Sequence, residues 1–233
     1  MNKQDLRIQG TATSRKSRKW KWILTILFLV TVGSVLFLRN WPPFGGTVSG
    51  ERLKTAQASP HYHDGAFANT PSHPPLQSGD VWDYLIEQLF GDQTRVPPSV
   101  IPISAVPPES IHAEPLTALR AIWLGHSSVY IELDGLRLLV DPVFSDYASP
   151  FKGIGPKRTH PLPIALADLP RIDVVMISHD HYDHLDMRTI QYLSSKGTQF
   201  LVPLGVGAHL DEWKYQKAES LNWTGGNQQK LQA

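Results

Sequence analysis

Residues 172–184, IDVVMISHDHYDH, join a continuous apolar run to a cluster of three histidines and two aspartates. The apolar run at 172–178 predicts a strand that is buried on both faces, since such strands carry consecutive apolar residues. The spacing of LDMRTIQYL at 185–193 predicts a helix. A polar cluster between a strand and a helix lies at the carboxyl end of the strand, where open α/β sheets hold their binding sites. The sequence therefore predicts an α/β fold with a functional site at 179–184.

The polar cluster offers four candidate metal ligands, which are His179, His181, Asp183 and His184. In an extended loop His179 and His181 project to the same side, so both imidazoles can bind one metal ion. Asp183 and His184 then turn towards a neighbouring position, and one segment can serve two metal ions. The chain contains no cysteine, which excludes thiolate zinc sites and cysteine nucleophiles. Imidazole and carboxylate ligands suit Zn²⁺, and manganese and iron remain open because the same ligands bind them.

Short strands surround this buried strand in the sequence. Residues 121–124 and 128–133 alternate between apolar and polar, and 136–140 continues the pattern after Asp134 and Gly135, a dipeptide typical of hairpin turns. We also expect a short helix at 165–169, a strand at 200–204 and a helix at 207–213. Together these elements predict a mixed α/β domain over residues 118–233.

A long apolar segment lies near the N-terminus. Residues 23–38, ILTILFLVTVGSVLFL, carry no charge, and a helix of that length covers about 24 Å. Extending the helix to Trp20 and Trp41 gives about 33 Å, enough to cross a bilayer with tryptophans at both interfaces. We expect a transmembrane anchor at 23–38. A cleaved signal peptide is the main alternative, although no small-x-small cleavage site ends the segment, and a buried helix is the other.

Charge is distributed unevenly along the chain. The first 40 residues carry eight basic residues and one acid, while the remainder has a net charge of −6. A basic tail at 1–22 places the N-terminus in the cytoplasm and sends the body to the periplasm or exterior. Association of the body with an outer membrane is the alternative location. We expect the lipid bilayer as a partner and no nucleic acid, because the body offers no general basic surface.

Residues 39–117 form a region rich in proline. Twelve of the 19 prolines fall between positions 42 and 115, a density that favours extended backbone over long helices. One apolar-periodic patch at 81–90 predicts a short helix, with Asp80 as N-cap and Gly91 as its end. We therefore expect an extended arm with one short helix.

Several blocks accompany the HDHYDH motif: WLGHSS (123–128), DP (141–142), ASPF (148–151), GPKR (155–158) and LPRID (169–173). Together they resemble the metallo-β-lactamase superfamily. More narrowly, they are similar to the branch that contains N-acylphosphatidylethanolamine-hydrolysing phospholipase D and the ascorbate-lactonase-like proteins. The resemblance runs from about residue 118 to residue 223 and includes SPHYHDGAFAN at 59–69. It implies an αββα sandwich and a metal-dependent hydrolase.

The resemblance also implies roles for individual residues. His179 and His181 would bind the first zinc ion of a pair, and Asp183 and His184 would bind the second. Asp183 would further orient or deprotonate the attacking hydroxide, which makes it the candidate catalytic residue. His126 and Asp141 match positions near the pocket of the family, although a turn histidine and a strand-ending aspartate are equally good interpretations.

Family hydrolases complete their site with a third histidine for the first metal, a bridging aspartate and a late histidine. After the motif this sequence contains one further histidine, His209, without a companion aspartate in the family's context. We therefore expect residues 118–233 to hold about the N-terminal half of the sandwich, in a truncated chain whose metal site lacks ligands.

Two functional hypotheses follow. The first is a membrane-anchored, zinc-dependent hydrolase that acts on a phosphodiester in a lipid-like substrate, in the manner of a phospholipase D, or on a lactone. The second is a catalytically inactive relative that acts, if at all, as a non-enzymatic membrane protein of the envelope. Metal binding and metal-dependent turnover distinguish them. The sequence leaves the oligomeric state open.

Overall fold

The structure of the protein is a computed structural model that describes residues 3–68, 78–92, 94, 96–112, 118–215 and 218–221. It divides into two compact units, Met1–Phe44 and Gly45–Ala233. The first unit consists of helix α1 (Lys3–Arg39) and a 3-10 turn at Pro42–Phe44. Its segment Lys19–Arg39 is long and apolar enough to cross a bilayer. The helix ends before Trp41 because two prolines follow and cannot continue it.

The proline-rich region contains more structure than one short helix, which corrects that expectation. It holds α2 (Gly50–Gln57), a small hairpin of β1 (Tyr62–His63) and β2 (Ala66–Phe67), α3 (Ser78–Phe90) and α4 (Pro108–His112). Helix α3 begins two residues before Asp80, so Asp80 lies in its first turn rather than at the N-cap. Pro108 occupies the first position of α4, where proline costs no hydrogen bond.

One six-stranded sheet forms the main layer of the second unit. Its strands are β3 (Arg120–Gly125), β4 (Ser128–Leu133), β5 (Leu136–Val140), β6 (Val174–Met176), β7 (Gln199–Pro203) and β8 (Ala218–Leu221), in that spatial order. The first three are antiparallel, and β5 to β8 are parallel. Asp134 and Gly135 both have positive φ angles, 49° and 85°, as a tight hairpin turn requires. The predicted hairpin and the predicted α/β class are confirmed.

Helical segments connect the parallel strands. A 3-10 helix at Leu166–Asp168 precedes β6, α5 (Met187–Ser194) lies between β6 and β7, and α6 (Gly207–Glu212) lies between β7 and β8. Strand β8 is an element that the sequence pattern did not indicate. The core lies between the sheet and these connections and contains fully buried side chains from both, among them Leu139, Val175, Ile190, Phe200 and Leu210. The polar tail at 222–233 lies outside the described residues.

Candidate metal centre

The HDHYDH motif lies at one edge of the large sheet, directly after β6. Strand β5 is parallel to β6, so its carboxyl end, followed by Asp141, reaches the same edge. Strand β4 is antiparallel to β5, so the turn that joins β3 to β4 and contains His126 is there as well. The topology thus brings residues from three separate segments to the edge where the sequence predicts a site.

Three side chains form a compact group of metal-type donors at this edge. One ligand atom from each of His126, Asp183 and His184 lies within 4.8 Å of the others. Nε2 of His126 is 2.9 Å from Oδ2 of Asp183, and Nε2 of His184 is 3.7 Å from the same oxygen. Two imidazoles and a carboxylate are a donor set that divalent transition metals accept.

The other two motif histidines lie beside this group. Nε2 of His179 is 3.1 Å from Nδ1 of His181, and the rings of His179 and His184 are 3.9 Å apart between centroids. Burial, followed by the neighbouring rings of His184 and His181, lowers the pKa of His179. A lowered pKa keeps this imidazole neutral, which is the form that binds a metal ion.

Asp183 keeps an ionised carboxylate in the group. Burial raises its pKa, but backbone hydrogen bonding and the neighbouring His184 and His126 outweigh that effect and hold the pKa below its usual range. The side chain remains about two-fifths exposed. Asp183 is therefore a charged and accessible acceptor at neutral pH.

Asp141 fixes the orientation of His184. Its Oδ2 lies 2.9 Å from Nδ1 of His184 and also accepts a hydrogen bond from the Ser178 hydroxyl at 2.7 Å, while Oδ1 accepts one from the Ser178 backbone at 2.7 Å. A carboxylate only accepts hydrogen bonds, so Nδ1 of His184 carries the proton. In the neutral ring Nε2 then points a lone pair at Asp183. Two acceptors that face each other at 3.7 Å fit a cation between them.

The backbone at this edge is strained at two site residues. His126 and Asp141 have φ angles of 47° and 43°, in the left-handed region that non-glycine residues seldom adopt. Trp123 holds the first turn, because its indole N–H donates to the carbonyl of His126 at 2.8 Å. Ser128 holds the second, because its hydroxyl donates to the carbonyl of Asp141 at 2.7 Å and accepts from the N–H of Val143. Such strain is typical of functional sites, where the surrounding structure maintains it.

Asp186, just after the motif, anchors the loop that follows Asp141. It is the N-cap of α5 and accepts a hydrogen bond from the N–H of Arg188. Its buried carboxylate also accepts from the N–H groups of Phe144 and Ser145 and from the hydroxyls of Ser145 and Thr189. One aspartate therefore joins the end of the motif to the loop that leaves β5.

The structure thus brings all six sequence-predicted site residues to one edge of the sheet, and their individual roles stay predictions. Ser178 is a further site residue that was not predicted, and its hydroxyl contacts Asp141 and also lies 2.9 Å from Nδ1 of His179. Its position between the buried strand and the motif was the available signal. His209 also has an unpredicted partner, because its Nε2 is 3.2 Å from Oδ2 of Asp180.

The sequence is similar to those of known proteins. Residues 136–230 match the family described as a β-lactamase superfamily domain. The chain is 40% identical over 178 residues to an uncharacterised protein of Mycobacterium tuberculosis, an alignment that covers 76% of this chain and 47% of that protein. It is 36% identical over 143 residues to N-acyl-phosphatidylethanolamine-hydrolyzing phospholipase D 1 of Caenorhabditis elegans, covering 60% and 38%. Residues 136–230 of the chain belong to the metallo-β-lactamase superfamily.

This superfamily membership confirms the resemblance found in the sequence blocks. A shorter match, 36% identical over 63 residues, joins the chain to a UPF0173 metal-dependent hydrolase of Caldivirga maquilingensis and covers 27% of this chain and 22% of that protein. The chain spans about half the length of the curated relatives that it matches over the longest alignment. The family match over residues 136–230 includes the HDHYDH motif.

Proposed function

We propose that the chain is a metal-dependent hydrolase that cleaves a phosphodiester in a lipid-like substrate. The observation that carries the proposal is the group formed by His126, Asp183 and His184, with His179 and His181 beside it. The phospholipase D named among the relatives hydrolyses N-acyl-phosphatidylethanolamine according to its name, and this supports the substrate class. A lactone is the second substrate to be tested.

The donor set fits a metal ion, and we propose zinc. His179 and His181 would hold one ion, and Asp183 and His184 would hold a second, with His126 close enough to share it. When bound, Zn²⁺ supplies Lewis acidity, which polarises a phosphoryl oxygen and lowers the pKa of water at the site. The side chains present favour binding because His179 is kept neutral and Asp183 is kept ionised.

Asp183 is the residue that we propose handles the proton of the attacking water. Its carboxylate is ionised and partly exposed, and it lies beside two imidazoles. A carboxylate in that position accepts a proton from water and orients it towards the substrate. Before metal binds, Nε2 of His126 lies 2.9 Å from Oδ2 of Asp183 and limits the rotation of the carboxylate. Asp141 acts behind His184 and keeps its Nε2 directed into the group.

We further propose that α1 anchors the protein in a membrane, with the N-terminus on the cytoplasmic side. The segment Lys19–Arg39 has the length and hydropathy for one crossing, and the basic residues before it favour retention on the cytoplasmic side. A lipid-like substrate is consistent with this location, because an anchored enzyme meets lipids at the membrane surface.

The first test is metal content. The full chain is purified in detergent micelles without chelator, and bound metals are quantified by elemental mass spectrometry for wild type, His184→Ala and the control His63→Ala. His63 is an exposed histidine of β1, so its loss leaves the bound metal unchanged. We expect zinc in wild type and a clear loss in His184→Ala. Iron or manganese would overturn the choice of zinc, and equal metal in all three proteins would overturn the site.

The second test is turnover. The zinc-loaded chain is incubated with a chromogenic phosphodiester, with vesicles that contain N-acyl-phosphatidylethanolamine and with a lactone, before and after removal of metal. We expect metal-dependent cleavage of the phosphodiesters, reduced by about 10²–10⁴-fold in Asp183→Asn. Cleavage of the lactone alone would show that the substrate is a lactone rather than a phosphodiester. Bound zinc without turnover of any substrate would support the inactive relative instead.

A further inference from the structure

A second carboxylate–imidazole pair lies behind the metal motif. Asp180 stands between His179 and His181 in the sequence, and its Oδ2 accepts a hydrogen bond from Nε2 of His209 at 3.2 Å. His209 belongs to α6, which follows β7, so the pair joins the motif to a different element of the fold. Asp180 is about half exposed, whereas only one-fifth of the His209 side chain is exposed. The imidazole is therefore the fixed member of the pair.

Close packing against Gly45, in the proline-rich arm at 39–117, fixes this imidazole. Nδ1 of His209 is buried and has no hydrogen-bond partner within the described part of the chain. Gly45 lies directly against it, and a Cβ added there would overlap Nδ1. Nδ1 therefore packs against Gly45, and Nε2 is the ring nitrogen that faces Asp180. An unpartnered buried nitrogen costs free energy, which suggests that the position of the ring is maintained by its surroundings.

An ion pair holds the same helix against the same arm. Nε and a terminal nitrogen of Arg52, in α2, contact the two carboxylate oxygens of Asp211 at 2.5 and 2.9 Å. This paired geometry is more directional than a single lysine contact. Arg52 and Asp211 are 159 positions apart in the sequence. Residues 45–52 thus brace α6 two residues away from His209.

We infer that His209 is a positioning residue for the metal motif and that residues 45–52 form a brace that keeps it in place. The inference rests on the proposed function in one respect, since the benefit of an ordered motif is metal binding. Asp141 holds the start of the motif through Ser178, and His209 holds its middle through Asp180. Without the second tether, the turn that carries His179 and His181 gains freedom before it binds metal.

The first experiment measures order in the metal-free protein. Hydrogen exchange of a peptide that covers residues 177–186 is followed by mass spectrometry in the full chain, in micelles, for wild type, His209→Ala, Asp180→Ala and the double variant. We expect each single variant to accelerate exchange about tenfold, the effect of losing one charge-assisted hydrogen bond. The double variant should be no faster, because both changes remove the same bond. Unchanged exchange, or additive effects, would overturn the inference.

A conservative variant separates positioning from general stability. His209→Gln retains an N–H group at the position of Nε2 and should restore most of the protection that His209→Ala loses. All variants should keep the far-ultraviolet circular dichroism of wild type. If His209→Gln exchanged as fast as His209→Ala, the hydrogen bond to Asp180 would not be the cause.

Two glycines provide a matched test of the brace. Gly45 and Gly65 both have positive φ angles, 70° and 84°, so alanine strains the backbone at either position. Only at Gly45 would the new Cβ meet His209, because nothing lies within 4 Å of the one added at Gly65, in the turn between β1 and β2 and outside the brace. We expect Gly45→Ala to accelerate exchange of the motif peptide and Gly65→Ala to leave it unchanged. Equal effects at both positions would overturn the role of the arm.

The last experiment connects the pair to metal binding and keeps the two proposals apart. The rate of zinc release to a chelator should rise about 10–100-fold in His209→Ala, as for the loss of partners behind metal ligands, and should return towards wild type in His209→Gln. If wild type binds no zinc while exchange still depends on His209, the proposed function fails and the positioning role stands. If zinc binds and neither release nor exchange depends on His209, the positioning role fails alone.

Discussion

Asp141 has a strained backbone, and both oxygens of its carboxylate accept hydrogen bonds. Its φ of 43° is one that asparagine also tolerates. In Asp141→Asn an amide replaces one carboxylate oxygen, and an N–H group towards His184 forces the proton of that ring to Nε2. We expect zinc affinity to fall about 10–100-fold while the fold is retained, measured by competition with a chelator.

A matched control exists for this substitution. Asp134 has a φ of 49° and lies in the exposed turn between β4 and β5, so Asp134→Asn makes the same chemical change in the same backbone region away from the site. It should leave zinc affinity unaltered. Similar losses in the two variants would show that the backbone, rather than the hydrogen bond to His184, determines affinity.

At the scale of elements, Asp186 connects helix α5 to the loop after β5. Asp186→Ala removes an N-cap, which is worth about 1 kcal/mol, and leaves the partly buried N–H of Ser145 without its acceptor, at about 1–3 kcal/mol. We expect the free energy of unfolding to fall by roughly 3 kcal/mol, measured by denaturant titration. Asp168→Ala, at an exposed aspartate of the 3-10 helix, should change it by less than about 0.5 kcal/mol. Equal losses would contradict the anchoring role.

Strand β4 carries a buried hydrogen-bond network that should make the free energy of unfolding depend on pH. Burial and then the hydrogen bond to Glu132 raise the pKa of the Tyr130 phenol far above its usual value. The folded state therefore favours the neutral phenol, so its contribution to stability is complete below about pH 10 and declines at higher pH. Tyr130→Phe should show a shallower decline above about pH 10 in denaturant titrations. The same slope in both proteins would exclude Tyr130 as its origin.

Individual elements show what could be predicted from the sequence. The hairpin at Asp134 and Gly135 and the strand before the motif were predictable because turn chemistry and an apolar run are local signals. Helix α2 was not, because it is short and polar, and its contact with α6 comes from Arg52 and a distant Asp211. Strand β8 was missed for a related reason, since its main interaction in the sheet is pairing with β7.

The candidate site was predictable to a similar extent. The four motif residues are adjacent in the sequence, and the strand and helix around them indicate their place at the sheet edge. The approach of His126 to Asp183 depends instead on the positive φ of His126 in the turn between β3 and β4. The pair of Asp180 with His209 depends on the position of α6. Periodicity and motif spacing are local patterns, so they do not predict contacts between distant segments.

At the scale of the whole molecule, the proposed anchor can be tested with one substitution. Val30 lies inside the apolar segment, and arginine in the middle of a crossing helix costs about 3 kcal/mol on insertion scales. Val30→Arg should move a large part of the protein from carbonate-washed membranes to the soluble or aggregated fraction. Val96→Arg, at an exposed valine outside that segment, should leave the distribution unchanged. Full retention of Val30→Arg in the membrane would contradict the anchor.

The sheet order also has a consequence for how the protein acquires its site. Strands β3, β4 and β5 form a meander of local contacts, which folding theory expects to assemble quickly, whereas the parallel strands must wait for longer loops to close. His126 and Asp141 belong to the early part, and the HDHYDH motif belongs to the late part. The time course of zinc uptake during refolding should therefore report when the parallel strands dock. We expect zinc uptake to lag behind hairpin formation and to coincide with burial of the core.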